Sequence, residues 1–136
     1  MKPPAFDKAA LVRYRLDQAK NTLRDAHVLF EQSGTPASVV NRAYYAIFYA
    51  TMALIGTLDE NVDTSKHKGV IAAFNRAFIK TGILPKEMGK ILRDAFEARQ
   101  EGDYRDVSAK IDDVKAREIL VSADRFVSSI EATLSK

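Results

Sequence analysis

The residues with the most chemical reach in this chain gather in three short segments. The first is NRAYYAIFYA, Asn41 to Ala50, which holds four of the chain's twelve Tyr and Phe residues behind an arginine. A buried phenol needs a hydrogen-bond partner, and a buried guanidinium needs an anion and several acceptors. Arg42 and the phenols of Tyr44, Tyr45 and Tyr49 therefore ask for more than packing. The second segment is ARQEGDY, Ala98 to Tyr104, where Arg99, Asp103 and Tyr104 lie around Gly102. An aspartate there could accept a bidentate pair from Arg42 or Arg99. This predicts a substantially buried Arg42 bonded to a carboxylate, with Asp103 the first choice. The third is KHK, Lys66 to Lys68. A histidine between two lysines at a helix start is placed to meet a phosphate or a nucleotide, because helix N-termini favour anions. Each segment also has a plainer use: core packing for Tyr44, Ile47 and Phe48, a helix end with surface charges for Ala98 to Tyr104, and an exposed or cap-associated imidazole for His67. His27 reads as a surface residue of the first helix.

Other chemistries are excluded or unsupported. The chain has no cysteine, so it has no disulfide, thiolate zinc site or cysteine nucleophile. Its two histidines are far apart and outside any His-Glu-x-x-His pattern, so no metal is expected. No glycine-rich phosphate loop or Gly-x-Ser-x-Gly elbow appears, and no cofactor is expected. The net charge of +3 permits a nucleotide or nucleic-acid partner without requiring one, because 21 basic residues are interleaved with 18 acidic ones. No apolar run is long enough to span a membrane, and MKPPAFDK lacks the apolar stretch of a signal peptide. A cytoplasmic protein with no membrane partner is the expectation.

The elements that must hold these residues are helical. Val12, Leu16, Ala19, Leu23, Ala26 and Phe30 step by fours and threes, then QSGTP ends the first helix with Gly34 placed for a C-cap. A second helix spans about Pro36 to Gly56 and carries two adjacent stripes. One is Val40, Tyr44, Ile47, Thr51 and Leu54, and the other is Asn41, Tyr45, Phe48, Met52 and Ile55. Two apolar faces mark a central helix packed by several neighbours. The second stripe also suggests an apolar face that one small bundle leaves for a dimer partner. Ser65 is placed to cap a third helix with Val70, Ile71, Phe74, Ala77 and Phe78 inward. Met88, Ile91, Leu92, Ala95, Phe96 and Arg99 make a fourth helix that Gly102 ends, and Ala116, Leu120, Ala123, Val127, Ile130 and Leu134 make a fifth. The pattern predicts an all-α fold: one domain over 1–136, an antiparallel up-and-down bundle of four to five helices.

Together the segments resemble the HEPN family of helical domains, named for higher eukaryote and prokaryote nucleotide binding. The resemblance rests on NRAYYAIFYATMALI, on KHKGVIAAFNRAFIKTGILP and on RQEGDY, and it covers roughly Leu11 to Leu134. It implies the same helical bundle, a homodimer, and in many members a minimal nucleotidyltransferase as partner. Some branches are metal-independent ribonucleases whose signature is an arginine, four to six residues, then a histidine. This chain departs from that signature. The corresponding positions hold Lys20, Asn21 and Thr22 before His27, and Glu60, Asn61 and Val62 before His67. Asp103 stands roughly where the ribonuclease branch has its histidine. An aspartate with the ordinary pKa of about 4 is ionised at neutral pH and holds no proton for a leaving oxygen.

The resemblance and the departure together imply a HEPN protein of a nucleotide-responsive or toxin–antitoxin-like pair. It would bind nucleotide or RNA in a dimer cleft lined by Arg42, Tyr45, His67, Arg99, Asp103 and Tyr104, without robust ribonuclease activity. One alternative is a metal-independent endoribonuclease toxin using His67, Asp103 and Tyr104. Another is a purely structural helical interaction module.

Overall fold

A computed structural model describes residues 7–103 and 111–136, without the side chains of residues 102 and 103. The described residues form five α-helices and no strand: α1 Lys8–Glu31, α2 Pro36–Ile55, α3 His67–Phe74, α4 Lys86–Asp103 and α5 Asp113–Leu134. A π-helical turn, Asn75–Ile79, continues α3. The α4 helix runs one residue past the Gly102 expected to end it, a difference within the ordinary ambiguity of helix ends.

Local chemistry sets the ends. Asp7 opens α1 by accepting a hydrogen bond from the Ala10 N–H at 3.0 Å. Its C-terminus differs from the expected Gly34 cap. Ser33 takes the left-handed conformation, at φ 59°. The N–H groups of Ser33 and Gly34 then donate to the carbonyls of Phe30 and Leu29, at 3.3 and 2.6 Å, the two bonds of a Schellman motif. Gly34 is required for closeness rather than for its φ, since a Cβ there would sit 2.8 Å from the Leu29 carbonyl oxygen. One residue later Thr35 accepts from the Ser38 N–H, and Pro36 starts α2.

Two interhelix pairs fix the antiparallel run of α1 and α5. Lys20 Nζ lies 2.8 Å from Glu131, and His27 Nε2 lies 2.7 Å from Asp124. Ascending α1 thus meets descending α5. His27 lies at the surface, as expected, with Asp124 for company.

α2 is the axis of the bundle and packs against α1, α3, α4 and α5. In its first stripe Val40, Tyr44, Ile47, Thr51 and Leu54 are all buried. The second stripe is less open than its polarity pattern suggested. Phe48 and Ile55 are buried within the protomer, while Asn41, Tyr45 and Met52 keep part of their surface. His67 at the start of α3 covers Phe48, and Leu11 and Val12 of α1 lie around the same hollow as Met52 and Ile55.

α3 starts differently from expectation. Asp63 accepts from the Ser65 N–H at 2.9 Å, a short-range turn that draws Ser65 away from a capping role. Extended Lys66 is the residue ahead of the helix, with no side-chain cap, and His67 becomes its first residue. The chemistry-bearing imidazole is therefore set at the entry of α3, against the aromatic side of α2.

Candidate functional site

His67 is enclosed by aromatic rings. Its Nδ1 shares a 2.7 Å hydrogen bond with the Tyr44 hydroxyl. Phe48 stacks on the imidazole with centroids 4.2 Å apart, and the rings of Tyr44, Tyr45 and Phe96 lie 5.7, 5.9 and 6.4 Å away. Two arginines cover this group. The Arg99 guanidinium lies over Tyr44 and Tyr45 at 5.5 and 5.3 Å, and that of Arg42 lies over Tyr45 at 5.2 Å. A guanidinium stacked on a ring face is held in orientation, and its planar fork matches the geometry of a phosphate or carboxylate; the Nε of Arg99 is itself buried.

The arrangement sets protonation states. Burial pushes the Tyr44 phenol well above its ordinary range, against a smaller opposing effect of Arg99. Tyr44 therefore keeps its proton at neutral pH. Burial, and then the positive charge of Arg99, hold the His67 imidazole below its ordinary 6.5. At neutral pH the site thus holds a neutral imidazole and a protonated Tyr44 phenol beside two guanidinium groups.

His67 gives a pH dependence with a definite sign. The unfolded chain binds the imidazole proton more readily than the native one. This part of the stability is therefore complete above pH 6.5 and is lost as pH falls through the lowered native value. An NMR titration should place the His67 midpoint below 6.5, and His67→Gln should flatten the acid side of the stability profile. A midpoint at or above 6.5 would contradict the burial described here.

Of the residues expected at a site, Arg42, Tyr45, His67 and Arg99 are brought together by the fold. Asp103 is the last residue of α4, one turn beyond Arg99, and its side chain lies outside the described residues, as does all of Tyr104. The expected carboxylate for Arg42 is not found among the described residues. Arg42 is half-buried, and its Nε and Nη2 donate to Asn41 Oδ1 at 3.2 and 2.9 Å. The adjacent amide reaches the guanidinium more easily than a carboxylate on another helix. The pairing with Asp103 lies outside the described residues.

Tyr44 and Phe48 were assigned to packing and do more than that. Both are core residues, and both also fix the His67 ring. The requirement that a buried phenol find a partner was the available signal for Tyr44. Among the described residues no group of three or more His, Asp or Glu side chains is placed to hold a metal ion. Nor is any helix among them long and apolar enough to cross a membrane.

Known proteins share this sequence. The chain is 38% identical over 125 residues to a UPF0332 protein of Thermotoga maritima, covering 92% of each chain. It is 32% identical over 121 residues to a protein of Methanocaldococcus jannaschii that carries the name "Putative toxin", covering 89% of this chain and 87% of that one. A second protein of that archaeon with the same style of name is 33% identical over 95 residues, 70% of this chain and 63% of the other. The sequence profile of the HEPN domain matches residues 12–133. With four helices packed about α2 and a match over nearly its whole length, the chain belongs to the HEPN domain family.

Proposed function

We propose that this protein is the toxin-side HEPN component of a two-protein pair, and that it binds a nucleotide or RNA phosphate at Arg42, Arg99 and His67. The observation that carries the reading is the pairing of two stacked guanidiniums with an imidazole held neutral beside them. The imidazole adds hydrogen bonding without a third buried charge, and the half-buried Phe96 ring beside it is an aromatic group on which a base could stack. The names of two relatives support the toxin side. A homodimer would double this cationic surface, and the second protein would be a minimal nucleotidyltransferase.

The test is calorimetric titration with a nucleoside triphosphate and with a short single-stranded RNA. A hydrogen bond to a charged group contributes about 1.5–3 kcal/mol, so Arg99→Gln and Arg42→Gln should each weaken binding by roughly tenfold or more. Undiminished affinity in both variants would remove the site from this role. Light scattering should report twice the chain mass, and co-expression with a nucleotidyltransferase encoded alongside should yield one complex. A monomer that ignores such a partner would refute the assembly part of the proposal.

A further inference from the structure

Outside the aromatic site, a groove of about 580 Å³ with a mostly basic rim lies between the α3–π-turn segment and α4. Its floor is Ile71, Asn75 and Ile79 from one side and Gly89 from the other. Gly89 is what lets the walls meet, since a Cβ there would lie 3.0 Å from Asn75 Oδ1 and 3.4 Å from Ile79. Lys80, Lys86, Lys90 and Arg93 rim it, and all four are exposed. Lys90 and Arg93 share Asp94, at 3.2 and 3.8 Å. No acidic side chain among the described residues pairs with Lys80 or Lys86. The one rim carboxylate, Glu87, is engaged by Arg125 at 3.0 Å.

The aromatic site lies about one helical turn beyond the end of the groove. Ile71 on its floor is one helical turn after His67, and Arg93 on its rim is one turn before Phe96. The rings of His67 and Phe96 lie 6.4 Å apart. The two helices run antiparallel, so the pairs His67–Phe96, Ile71–Arg93 and Asn75–Gly89 succeed one another along a single track. From His67 to Ile79 this track is about 18 Å long at the usual helical rise.

We infer that this groove is a track for the backbone of single-stranded RNA, leading phosphates along Arg93, Lys90, Lys86 and Lys80 away from the His67 site. The inference rests on the ligand reading of that site and extends it from one phosphate to a strand. Single-strand binders pair a cationic groove that follows the backbone with aromatic faces for the bases, and here the two features lie one after the other. An acidic protein segment would satisfy the cations but would leave the neighbouring aromatic rings without a purpose.

The test measures binding of a fluorescent oligouridylate as a function of salt. Each neutralised phosphate contributes about −0.7 to the slope of log affinity against log salt. The double variant Lys86→Gln/Arg93→Gln should therefore flatten the slope by about 1.4. A control with equal charge loss, Arg13→Gln/Arg24→Gln on α1, should leave it unchanged, since α1 makes no contact with α3 or α4. The four residues altered are on the surface, so the folds should survive, and circular dichroism checks this. Equal slopes for the groove variant and wild type would overturn the track while leaving the His67 site intact. Displacement of the RNA by polyglutamate at equal charge concentration would make the groove a protein-docking surface and overturn the RNA assignment. Loss of RNA and triphosphate binding together, already in the wild type, would refute the underlying site as well.

Discussion

Tyr44→Ala is expected to destabilise the protein by about 3–5 kcal/mol, the usual cost of deleting a buried aromatic side chain. Tyr44 has no exposed surface, and its ring meets Tyr45, Phe48, His67 and Phe96 within 6.0 Å. Removing it leaves a cavity where α2, α3 and α4 come together, and it strands His67 Nδ1. Tyr44→Phe separates the two effects. It keeps the ring and removes only the hydroxyl, so it should cost about 1–3 kcal/mol for the imidazole left without its partner. Urea denaturation of the two variants makes the comparison. Equal losses would mean that the hydrogen bond, not the ring, is what the core requires. A negligible loss in Tyr44→Phe would mean that His67 is not held by the phenol.

That difference bears on function because α2 serves the core and the site with the same residues. Tyr44 and Phe48 face inward and also grip His67, so the imidazole is positioned by the best-packed part of the bundle. Groups held this way need little reorganisation when a ligand arrives. Arg42 and Arg99 remain half-buried above them.

Much of this was legible in the sequence. The helices of the bundle were marked by apolar steps of three and four and by the few Pro and Gly residues between them. Pro36 and Gly56 bracket α2 to within a residue. The fold places Arg42, Tyr45, His67 and Arg99, each singled out by its residue type, in one neighbourhood. What the sequence hid was competition among short-range partners. Ser65 has the type of a cap, but its backbone is claimed by Asp63. Gly34 has the type of a left-handed residue, but Ser33 takes that conformation and Gly34 supplies clearance. Arg42 asks for a carboxylate and takes the amide beside it. The bond between Tyr44 and His67 spans 23 positions and depends on the path of the chain between α2 and α3. The basic groove was also invisible. Its cations alternate with Glu87 and Asp94 along the chain, and only the contact of Gly89 with Asn75 lines them up.

Single-stranded RNA incubated with the purified protein in EDTA is expected to remain intact. Metal-free cleavage needs a base for the 2′-hydroxyl, an acid for the leaving oxygen and a cation for the phosphate. Arg42 and Arg99 would supply the cation. His67, neutral at physiological pH, has the protonation state of a base. Among the described residues the acid is the missing part. Tyr44 is wholly buried, and burial raises its hydroxyl further from the range in which it gives up a proton. An aspartate in the Asp103 position is ionised at neutral pH unless its surroundings hold the proton on. A positioned acid contributes about 10²–10⁴-fold, so its absence should bring cleavage close to background. A gel assay with a labelled oligonucleotide reads this directly, with His67→Ala and Asp103→Asn as companions. If the wild type cuts RNA, and either substitution abolishes cutting while the helical spectrum is preserved, the protein is a ribonuclease. Its acid would then be a group whose proton is held by its surroundings, and binding without cleavage would be the wrong description of the site.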